Sequence, residues 1–359
     1  MIEGTTSFSR NAKFDRKRYI CYKGFCLNFN NIMNPSIVSK YLTPQERKEL
    51  IQKSDWKGAW QVLQNWGTII ATFTVVYLFP NPLVILVALF VMGGQQLACS
   101  IIMHDTGHFA LFNNKKLNDF VGRWLGSYPI MNDMLKYRTY HLEHHLTTGT
   151  AEDPDISLTK GYPTSVASMI RKIARDLLGA TGIKSQIGLM SMNLGYLKYS
   201  LSKKIEKINQ KDRTWKEFFQ VAYQNVTGPL TAQLIIFALC YFLASPWLYL
   251  LWIGALLTTF NFSIRIRSMA EHAMVEDTED VMRNTRTTYA NWLERILFAP
   301  HNVNYHVEHH LLMSVPSYNL PKMHRLLKER GFYKEGLLEQ GYWDIVMMAI
   351  GRKMVDGGR

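Results

Sequence analysis

The sequence predicts an all-α integral membrane protein, in which four transmembrane helices form two hairpins and a cytoplasmic helical cap carries a histidine-rich dimetal site. Two uncharged blocks predict the membrane part, because residues 58–104 and 218–264 contain no Lys, Arg, Asp or Glu. Each block is long enough for two helices of about 20 residues and a tight turn. Clustering predicts the metal site, because nine of the 11 histidines lie in three short segments.

Prolines divide each uncharged block into two expected helices. Turns are expected at Pro80–Pro82 and at Ser245–Pro246, because proline ends a helix and disfavours helix at the residue before it. The four expected spans are Val62–Phe79, Leu83–Met103, Pro229–Ala244 and Trp247–Ile264. Buried helical hairpins in a soluble protein are the alternative, but two such blocks in one chain favour a membrane protein.

Charge predicts the orientation of the spans. Lys and Arg lie outside the two blocks, and the positive-inside rule places the segments that carry them on the cytoplasmic side. The expected organisation is a cytoplasmic N-terminal arm (1–57), a first hairpin (58–104), a cytoplasmic segment (105–217), a second hairpin (218–264) and a cytoplasmic segment (265–359). The net charge of +13 then describes a basic face against an anionic leaflet, and nucleic-acid binding is not expected. Because the first apolar run begins late, no cleaved signal peptide is expected.

The histidine clusters have the spacing of rings that share one helix face. They are HDTGH (His104, His108), HLEHH (His141, His144, His145) and HNVNYHVEHH, in which His306, His309 and His310 have this spacing and His301 precedes them by five residues. His272 follows the fourth expected span much as the first cluster follows the second span. It is a further candidate ligand, although a lone histidine is more often a surface or packed residue.

The donor set indicates transition metals. Imidazole nitrogen suits zinc, copper, iron or nickel and does not suit magnesium or calcium. Since one ion takes roughly four to six ligands, eight or nine histidines imply two ions. A structural zinc site fits poorly, because such sites close with about four ligands that often include cysteine, and the four cysteines here have no metal spacing. Two irons with open positions for dioxygen fit better.

Acidic residues beside the clusters are expected to support the ligands. A carboxylate that accepts the second ring N–H of a ligating histidine fixes the tautomer and the ring orientation. The residues expected in this role are Asp105, Glu143, Asp153, Asp155, Glu271 and Glu308. For Glu143 and Glu308 the open alternative is that they solubilise an exposed face.

These residues resemble the integral-membrane fatty acid desaturase and hydroxylase superfamily. Its pattern is His-x3-4-His, His-x2-3-His-His and a late His-x2-His-His, and HDTGH, HLEHH and HVEHH match it in order over about residues 58–330. The run from Asn304 to Pro321 is similar to bacterial acyl-lipid desaturases, so a bacterial inner membrane is expected. The resemblance implies that the ligands are His104, His108, His141, His144, His145, His272, His306, His309 and His310. It also places His301 behind the ligands, and Ser268 where some members carry an asparagine that holds a metal-bound water.

The resemblance further implies the activity. Two iron ions and dioxygen as co-substrate would introduce a C=C double bond into a lipid acyl chain, with no catalytic side chain beyond the metal ligands. The acyl carrier, a lipid or a thioester, stays open. No His-Pro-Gly-Gly haem motif is present, so electrons are expected from an external donor of the ferredoxin, rubredoxin or cytochrome b5 type.

Two other functions are alternatives to desaturation. A related diiron hydroxylase or ketolase that acts on an isoprenoid or other small lipophilic substrate would use the same histidine clusters. A metal transporter would place polar ligands near the middle of the bilayer. The expected spans contain almost none, so a transporter is disfavoured.

Overall fold

A computed structural model describes residues 35–201, 205–275 and 280–353, together with the backbone of two short strands, Tyr19–Tyr22 (β1) and Phe25–Asn28 (β2). The α-helices, numbered in chain order, are α1 Pro35–Tyr41, α2 Pro44–Leu50, α3 Asp55–Leu78, α4 Pro82–Gly107, α5 Lys115–Val121, α6 Met134–Thr147, α7 Ile156–Thr159, α8 Val166–Leu177, α9 Ala180–Asn193, α10 Trp215–Leu243, α11 Leu248–Leu257, α12 Thr259–His272, α13 Trp292–Leu297, α14 His306–Leu311, α15 Leu320–Glu329 and α16 Tyr342–Ala349. The predicted all-α character is confirmed for the described residues, apart from short strands.

The strands form two small sheets. β1 and β2 pair antiparallel, with Tyr19 opposite Asn28. Arg286–Thr288 (β3) pairs parallel with Leu337–Glu339 (β4), so Arg286 lies opposite Leu337. The second strand pair connects the segment before α13 with the segment before α16.

Three stretches of the described chain are long and apolar enough to cross a membrane: Pro82–Gly107, Trp215–Leu243 and Leu248–His272. The last stretch consists of α11 and α12, which meet at a kink at Thr258. The remaining expected span corresponds to α3, which is 24 residues long and packs against α4 but is not among these three. Three apolar helices are thus found, and the four-span topology stays a prediction.

Two predicted helix boundaries are wrong. The third span does not begin at Pro229: α10 begins at Trp215, with a capping box between Thr214 and Glu217, and contains Pro229 in its interior. Neighbouring helices can satisfy the backbone groups that a proline frees inside a membrane helix. The fourth span does not end at Ile264, because α12 continues to His272. The N-terminal end of α10 and the C-terminal end of α12 carry charged residues that lie outside the uncharged block. The block therefore gives the apolar part of each helix and not its whole length.

Glycines allow α4 to pack closely against two other elements. A Cβ atom on Gly93 would lie 2.6 Å from the carbonyl carbon of Thr259, and one on Gly94 would lie 2.1 Å from the carbonyl oxygen of Ile296. Only hydrogen fits in either position, as is common where membrane helices touch. Beside this contact, Trp66 of α3 stacks on the fully buried Trp252 of α11 at 6.4 Å. The bundle thereby sets α4 and α12 side by side.

Candidate metal centre

The first histidine cluster lies at the end of α4. This helix continues past its apolar part, carries His104 in its last turn and ends with His108 as the C-terminal cap residue. The two ring centroids are 4.9 Å apart, as expected for residues four apart on one helix face. The C-terminal end of this apolar helix therefore carries both imidazoles of the first cluster.

The second cluster lies on α6, a helix with a well-defined start. The side chain of Asp133 accepts hydrogen bonds from the backbone N–H groups of Leu135 and Lys136 and so caps the helix N-terminus. Two turns later, the Nε2 atoms of His141 and His145 lie 3.1 Å apart. His144, between them in sequence, points to the other side of the centre.

The third cluster lies on α14, next to the end of α12. The Nε2 atom of His306 lies 2.8 Å from Nε2 of His272 and 3.1 Å from Nε2 of His310. His309 reaches the second cluster instead, with its Nε2 atom 2.9 Å from Nε2 of His145. The lone His272 therefore joins the clusters, although sequence spacing alone did not decide its place.

The nine rings converge as two adjacent groups. In the five-histidine group, one ligand atom from each member lies within 4.8 Å of the others; the members are His104, His108, His141, His145 and His309. The four-histidine group consists of two overlapping sets that share His272. Ligand atoms of His144, His272 and His310 lie within 4.8 Å of one another, and so do those of His272, His306 and Glu271. The groups touch where the rings of His145 and His310 have centroids 4.3 Å apart. Two neighbouring metal positions fit this arrangement.

The unpaired ring nitrogens and the lowered pKa values of the histidines fit metal ligation. The buried Nε2 atoms of His104 and His108 have no hydrogen-bond partner, which is costly unless a ligand binds them. Burial is the main cause that lowers the pKa of six rings well below the ordinary value: His108, His141, His145, His306, His309 and His310. These rings are therefore neutral near pH 7, the form in which histidine binds a metal.

Three of the expected acids lie against ring nitrogens on the side away from the centre. Asp105 Oδ1 is 2.9 Å from Nδ1 of His104, and Asp153 Oδ1 is 2.8 Å from Nδ1 of His144. Glu271 accepts a hydrogen bond from Arg267 at 2.6 Å and lies 3.5 Å from Nδ1 of His306. Each contact leaves Nε2 free to face the centre.

The electrostatics of His144 differ from those of the six neutral rings. Burial acts to lower its pKa, but the hydrogen bond with Asp153 and the charge of Asp155 outweigh burial, so the pKa of His144 is raised. Asp155 Oδ2 lies 3.8 Å from Nδ1 of His144 and its carboxylate also accepts the hydroxyl of Tyr140. A metal ion at Nε2 would displace the extra proton.

Two expected acids do not support cluster rings. Glu143 is exposed on the outer face of α6, which agrees with the alternative that it solubilises this face. Glu308 is completely buried, but it faces away from the centre and binds the Thr287 hydroxyl at 2.5 Å and Nδ1 of His324 at 2.5 Å, together with the Tyr333 hydroxyl. The prediction that Glu308 sits behind a ligating ring is wrong, because the turn of α14 points it toward α15.

His301 and Ser268 lie close to the ligands in sequence but outside both groups. His301 has a left-handed backbone conformation with φ 56°, and its Nε2 atom is buried without a partner. Burial lowers the pKa of His301 to about 4. Ser268 is half-buried on α12, one turn before His272.

A support for the first cluster comes from α3 and was not predicted from the sequence. Gln61 donates a hydrogen bond from Nε2 to Asp105 Oδ2 at 3.3 Å, and its Oε1 accepts one from the hydroxyl of Ser317 at 3.0 Å. All three side chains are buried. A polar side chain inside an uncharged block is the signal that points to Gln61; nothing in the sequence marks Ser317.

A buried arginine supports His272 and was not predicted from the sequence either. The side chain of Arg286 is 1% exposed and donates to the carbonyl oxygens of Ala273 at 3.0 Å and Met274 at 2.7 Å. These carbonyls follow His272 directly, where a helix leaves its last acceptors unpaired. A buried guanidinium therefore holds the end of α12, and no local pattern around residue 286 indicates this.

Comparison with known proteins agrees with this geometry. The sequence model of the fatty acid desaturase family matches residues 80–343. The chain is 27% identical over 252 residues to dihydrorhizobitoxine desaturase of Bradyrhizobium elkanii, covering 69% of each chain. It is 26% identical over 297 residues to sn-1 oleoyl-lipid 12-desaturase of Synechocystis sp., covering 79% of each chain. A putative sphingolipid delta(4)-desaturase/C4-monooxygenase of Caenorhabditis elegans is 27% identical over 261 residues, which is 72% of this chain and 61% of the relative.

The matched region includes all three clusters and His272. The family match takes in well over half of the chain, and the resemblance noted in the sequence is confirmed. The chain therefore belongs to the fatty acid desaturase family of oxidoreductases.

Proposed function

We propose that this protein introduces a C=C double bond into the acyl chain of a membrane lipid, with two iron ions as cofactor and dioxygen as co-substrate. The observation that carries the proposal is the convergence of nine imidazoles in two adjacent groups, with His104 and His272 in the last turns of apolar helices. Two bound irons would supply the redox chemistry that activates dioxygen and removes two hydrogens from an unactivated C–C unit.

The protein's own residues would hold and orient the two irons. One iron would bind to the five-histidine group and the other to the four-histidine group. Asp105 and Asp153 keep the proton of His104 and His144 on Nδ1, so that Nε2 is available. An all-histidine group suits iron, zinc and copper alike, and the family assignment supports iron.

We propose that α3 and α4 form the first membrane hairpin, and that α10 with the kinked pair α11 and α12 forms the second. The outward face of α3 supports a lipid-facing position, because Ile70, Val75 and Leu78 are exposed by 62%, 48% and 59%. The basic segments outside the helices then lie in the cytoplasm with the metal centre. For a chain with these bacterial relatives, the proposed membrane is a bacterial inner membrane.

The proposed substrate is an acyl chain attached to a lipid. Support comes from the cyanobacterial relatives, whose names describe desaturation of an oleoyl-lipid. Electrons would come from an external protein of the ferredoxin, rubredoxin or cytochrome b5 type, and the basic cytoplasmic face suits an acidic donor of this kind.

Lipid profiling of a bacterial host with and without the gene tests the proposal. New double bonds in acyl chains are the expected result, and they should disappear with His144→Ala while the amount of protein in the membrane stays the same. Retained conversion by His144→Ala would remove the four-histidine group from the mechanism. Unchanged acyl chains together with an oxygenated product would instead support the related hydroxylase, an activity that the printed name of the Caenorhabditis elegans relative includes.

A further inference from the structure

The helices α8 and α9 expose aliphatic side chains that the rest of the described chain leaves uncovered. α8 is strongly amphipathic, with cations on one face and aliphatic residues on the other. Five large aliphatic side chains of α8, α9 and the connection between them are 40% to 81% exposed: Val166, Ile170, Leu178, Ile183 and Ile187. Exposed apolar groups of this extent mark a surface that contacts a membrane or another protein.

The charge of this region is strongly positive. Residues 156–205 contain eight Lys or Arg side chains and a single acidic residue, Asp176. Asp176 is buried and pairs with Arg265 of α12, whose Nη2 lies 2.9 Å from Oδ1, so it does not offset the charge at the surface. The exposed cations of the two helices are Arg171, Arg175 and Lys184.

The acids on the elements that pack against α8 and α9 are engaged elsewhere. These elements are α10, α11, α12 and α16, and α11 contains no acid. Glu217 caps the start of α10 and interacts electrostatically with Arg213. Glu271 is buried and forms an ion pair within α12. Asp344 of α16 pairs with Lys353 at 3.2 Å. The exposed cations of the two helices are therefore not balanced by their packing partners.

The α8–α9 pair lies against the second proposed membrane hairpin. A Cβ atom on Gly182 of α9 would lie 2.6 Å from the carbonyl carbon of Leu257, the last residue of α11, so the two helices touch through their backbones. At the other end of α9, the carbonyl oxygen of Asn193 accepts a hydrogen bond from Nδ2 of Asn225 in α10 at 3.0 Å. Further along α10, Leu234 is 58% exposed. The pair therefore adjoins the surface of α10 that lipid would cover.

This combination of features is typical of helices at a membrane surface. Such a helix places its apolar face at the boundary between headgroups and acyl chains, and its Lys and Arg side chains reach anionic headgroups. A protein partner would have to cover aliphatic residues beside the lipid-facing side of α10, whereas the cytoplasmic leaflet reaches them without another component. The positive charge of the pair and its position beside the membrane helices thus favour lipid as the occupant.

We infer that the α8–α9 pair lies in the cytoplasmic leaflet, with its exposed aliphatic side chains among acyl chains and its cations at the headgroups of anionic phospholipids. The inference rests on the membrane helices of the proposed function and adds an interfacial element to them. Because Asp176 joins α8 to Arg265 of α12, the pair would also hold the helix that carries His272 at a fixed depth.

Fluorescence quenching tests the position of the pair. The full-length, iron-loaded protein, with its native cysteines replaced by alanine, carries one bimane fluorophore at Ile170→Cys or Ile187→Cys in nanodiscs of phosphatidylcholine and phosphatidylglycerol. Brominated acyl chains should quench both labels, and iodide in the water should not. Leu234→Cys on α10 is the control for lipid contact. Lys211→Cys, at an exposed residue before α10, is the control for contact with water.

Lipid retention tests the headgroup contact. After extraction from equimolar liposomes, the wild type should retain more phosphatidylglycerol than phosphatidylcholine, as measured by mass spectrometry. Changing Arg171, Arg175 and Lys184 together to glutamine should lower this ratio fivefold or more, since one basic residue near an anionic surface contributes roughly a fivefold factor. Lysine at both arginine positions should keep the ratio, because it keeps the charge. The matched control removes three exposed cations elsewhere and should leave the ratio unchanged: Lys48→Gln, Arg325→Gln and Lys334→Gln.

The quenching pattern separates failure of the inference from failure of the proposed membrane helices. If iodide quenches the labels at Ile170 and Ile187 while brominated lipid still quenches the label at Leu234, the pair lies outside the leaflet although α10 spans it. If iodide also quenches the label at Leu234, the proposed membrane helices are wrong as well. Labels shielded from both quenchers would show that another protein segment or a second copy of the chain covers the aliphatic residues.

The retention ratio supplies two further outcomes that would overturn the inference. An unchanged ratio in the triple glutamine variant would show that these cations do not meet the headgroups. An equal fall in the matched control would assign the lipid preference to the net charge of the protein. Neither measurement requires turnover, so both test the pair even if no lipid is desaturated.

Discussion

Replacing Asp153 by asparagine should weaken one of the two metal positions and spare the other. Asp153 is 6% exposed, and its Oδ1 accepts from Nδ1 of His144 at 2.8 Å while its Oδ2 accepts from the backbone N–H of Gly149 at 2.9 Å. Asparagine cannot satisfy both donors. If its oxygen faces the ring, its NH₂ group opposes the N–H of Gly149; if it is reversed, it donates to Nδ1 and moves the ring proton to Nε2, where the metal would bind.

The magnitude follows from the role of the contact. Loss of a carboxylate that orients a ligating histidine typically costs ten- to hundredfold in metal affinity, or about 1.4–2.7 kcal/mol. The lower end is expected for Asp153→Asn, because asparagine keeps the size of the side chain and one acceptor. His104, in the other group, is oriented by Asp105 and not by Asp153, so the five-histidine group should be unaffected.

The assay is iron per protein chain after dialysis against a chelator of graded strength, measured by plasma mass spectrometry. The wild type should retain two irons under conditions in which Asp153→Asn retains about one. Glu143→Gln removes an exposed carboxylate from α6, the helix that carries His144, and should behave as the wild type. Equal loss of both irons, or retention of both with wild-type affinity, would refute the assignment of Asp153 to the four-histidine position.

Three further predictions concern the scaffold. Gly94→Ala should lower the thermal unfolding midpoint in detergent by several degrees, because its Cβ would meet a backbone carbonyl at 2.1 Å, whereas Gly67→Ala has nothing within 4 Å and should not lower it. Arg286→Met should release the end of the helix that carries His272 and reduce iron retention, with Arg286→Lys losing less, as measured by the same dialysis assay. His301→Asn should reduce the loss of folding stability at acid pH. Because the folded-state pKa of His301 is about 4, below that of the unfolded chain, the wild-type protein loses stability as pH falls from about 6.5 to 4. Asparagine tolerates the left-handed backbone and removes this loss, which unfolding midpoints across that pH range will measure.

Local patterns predicted the elements that depend on neighbouring residues. The spacing of His141, His144 and His145 indicated a shared helix face, and α6 presents them in that way. The uncharged blocks located most of α3, α4 and α10, all of α11 and the start of α12. The blocks did not give the ends of the helices. A charged residue ends the uncharged block but does not end the helix, and the start of a helix depends on capping contacts such as the one between Thr214 and Glu217.

The division of the nine histidines into two groups could not be predicted from the clusters. His309 and His310 are adjacent in sequence but belong to different groups, and so do His144 and His145. Neighbouring residues on a helix point about 100° apart, so one helix can serve two metal positions. Which ring joins which group depends on how α4, α6, α12 and α14 are packed together.

The sequence by itself determined that the protein is helical, that much of it is apolar enough for a membrane, and that its clustered histidines are donors suited to transition metals, because helix periodicity, charge exclusion and donor chemistry are local properties. Only the tertiary structure decided that Asp105 and Asp153 face ring nitrogens while Glu308 faces His324. It also decided that Gln61 and Arg286, distant in sequence, support the ligands. Hydrogen-bond partners are chosen by distance and direction in space, and packing of distant segments sets both.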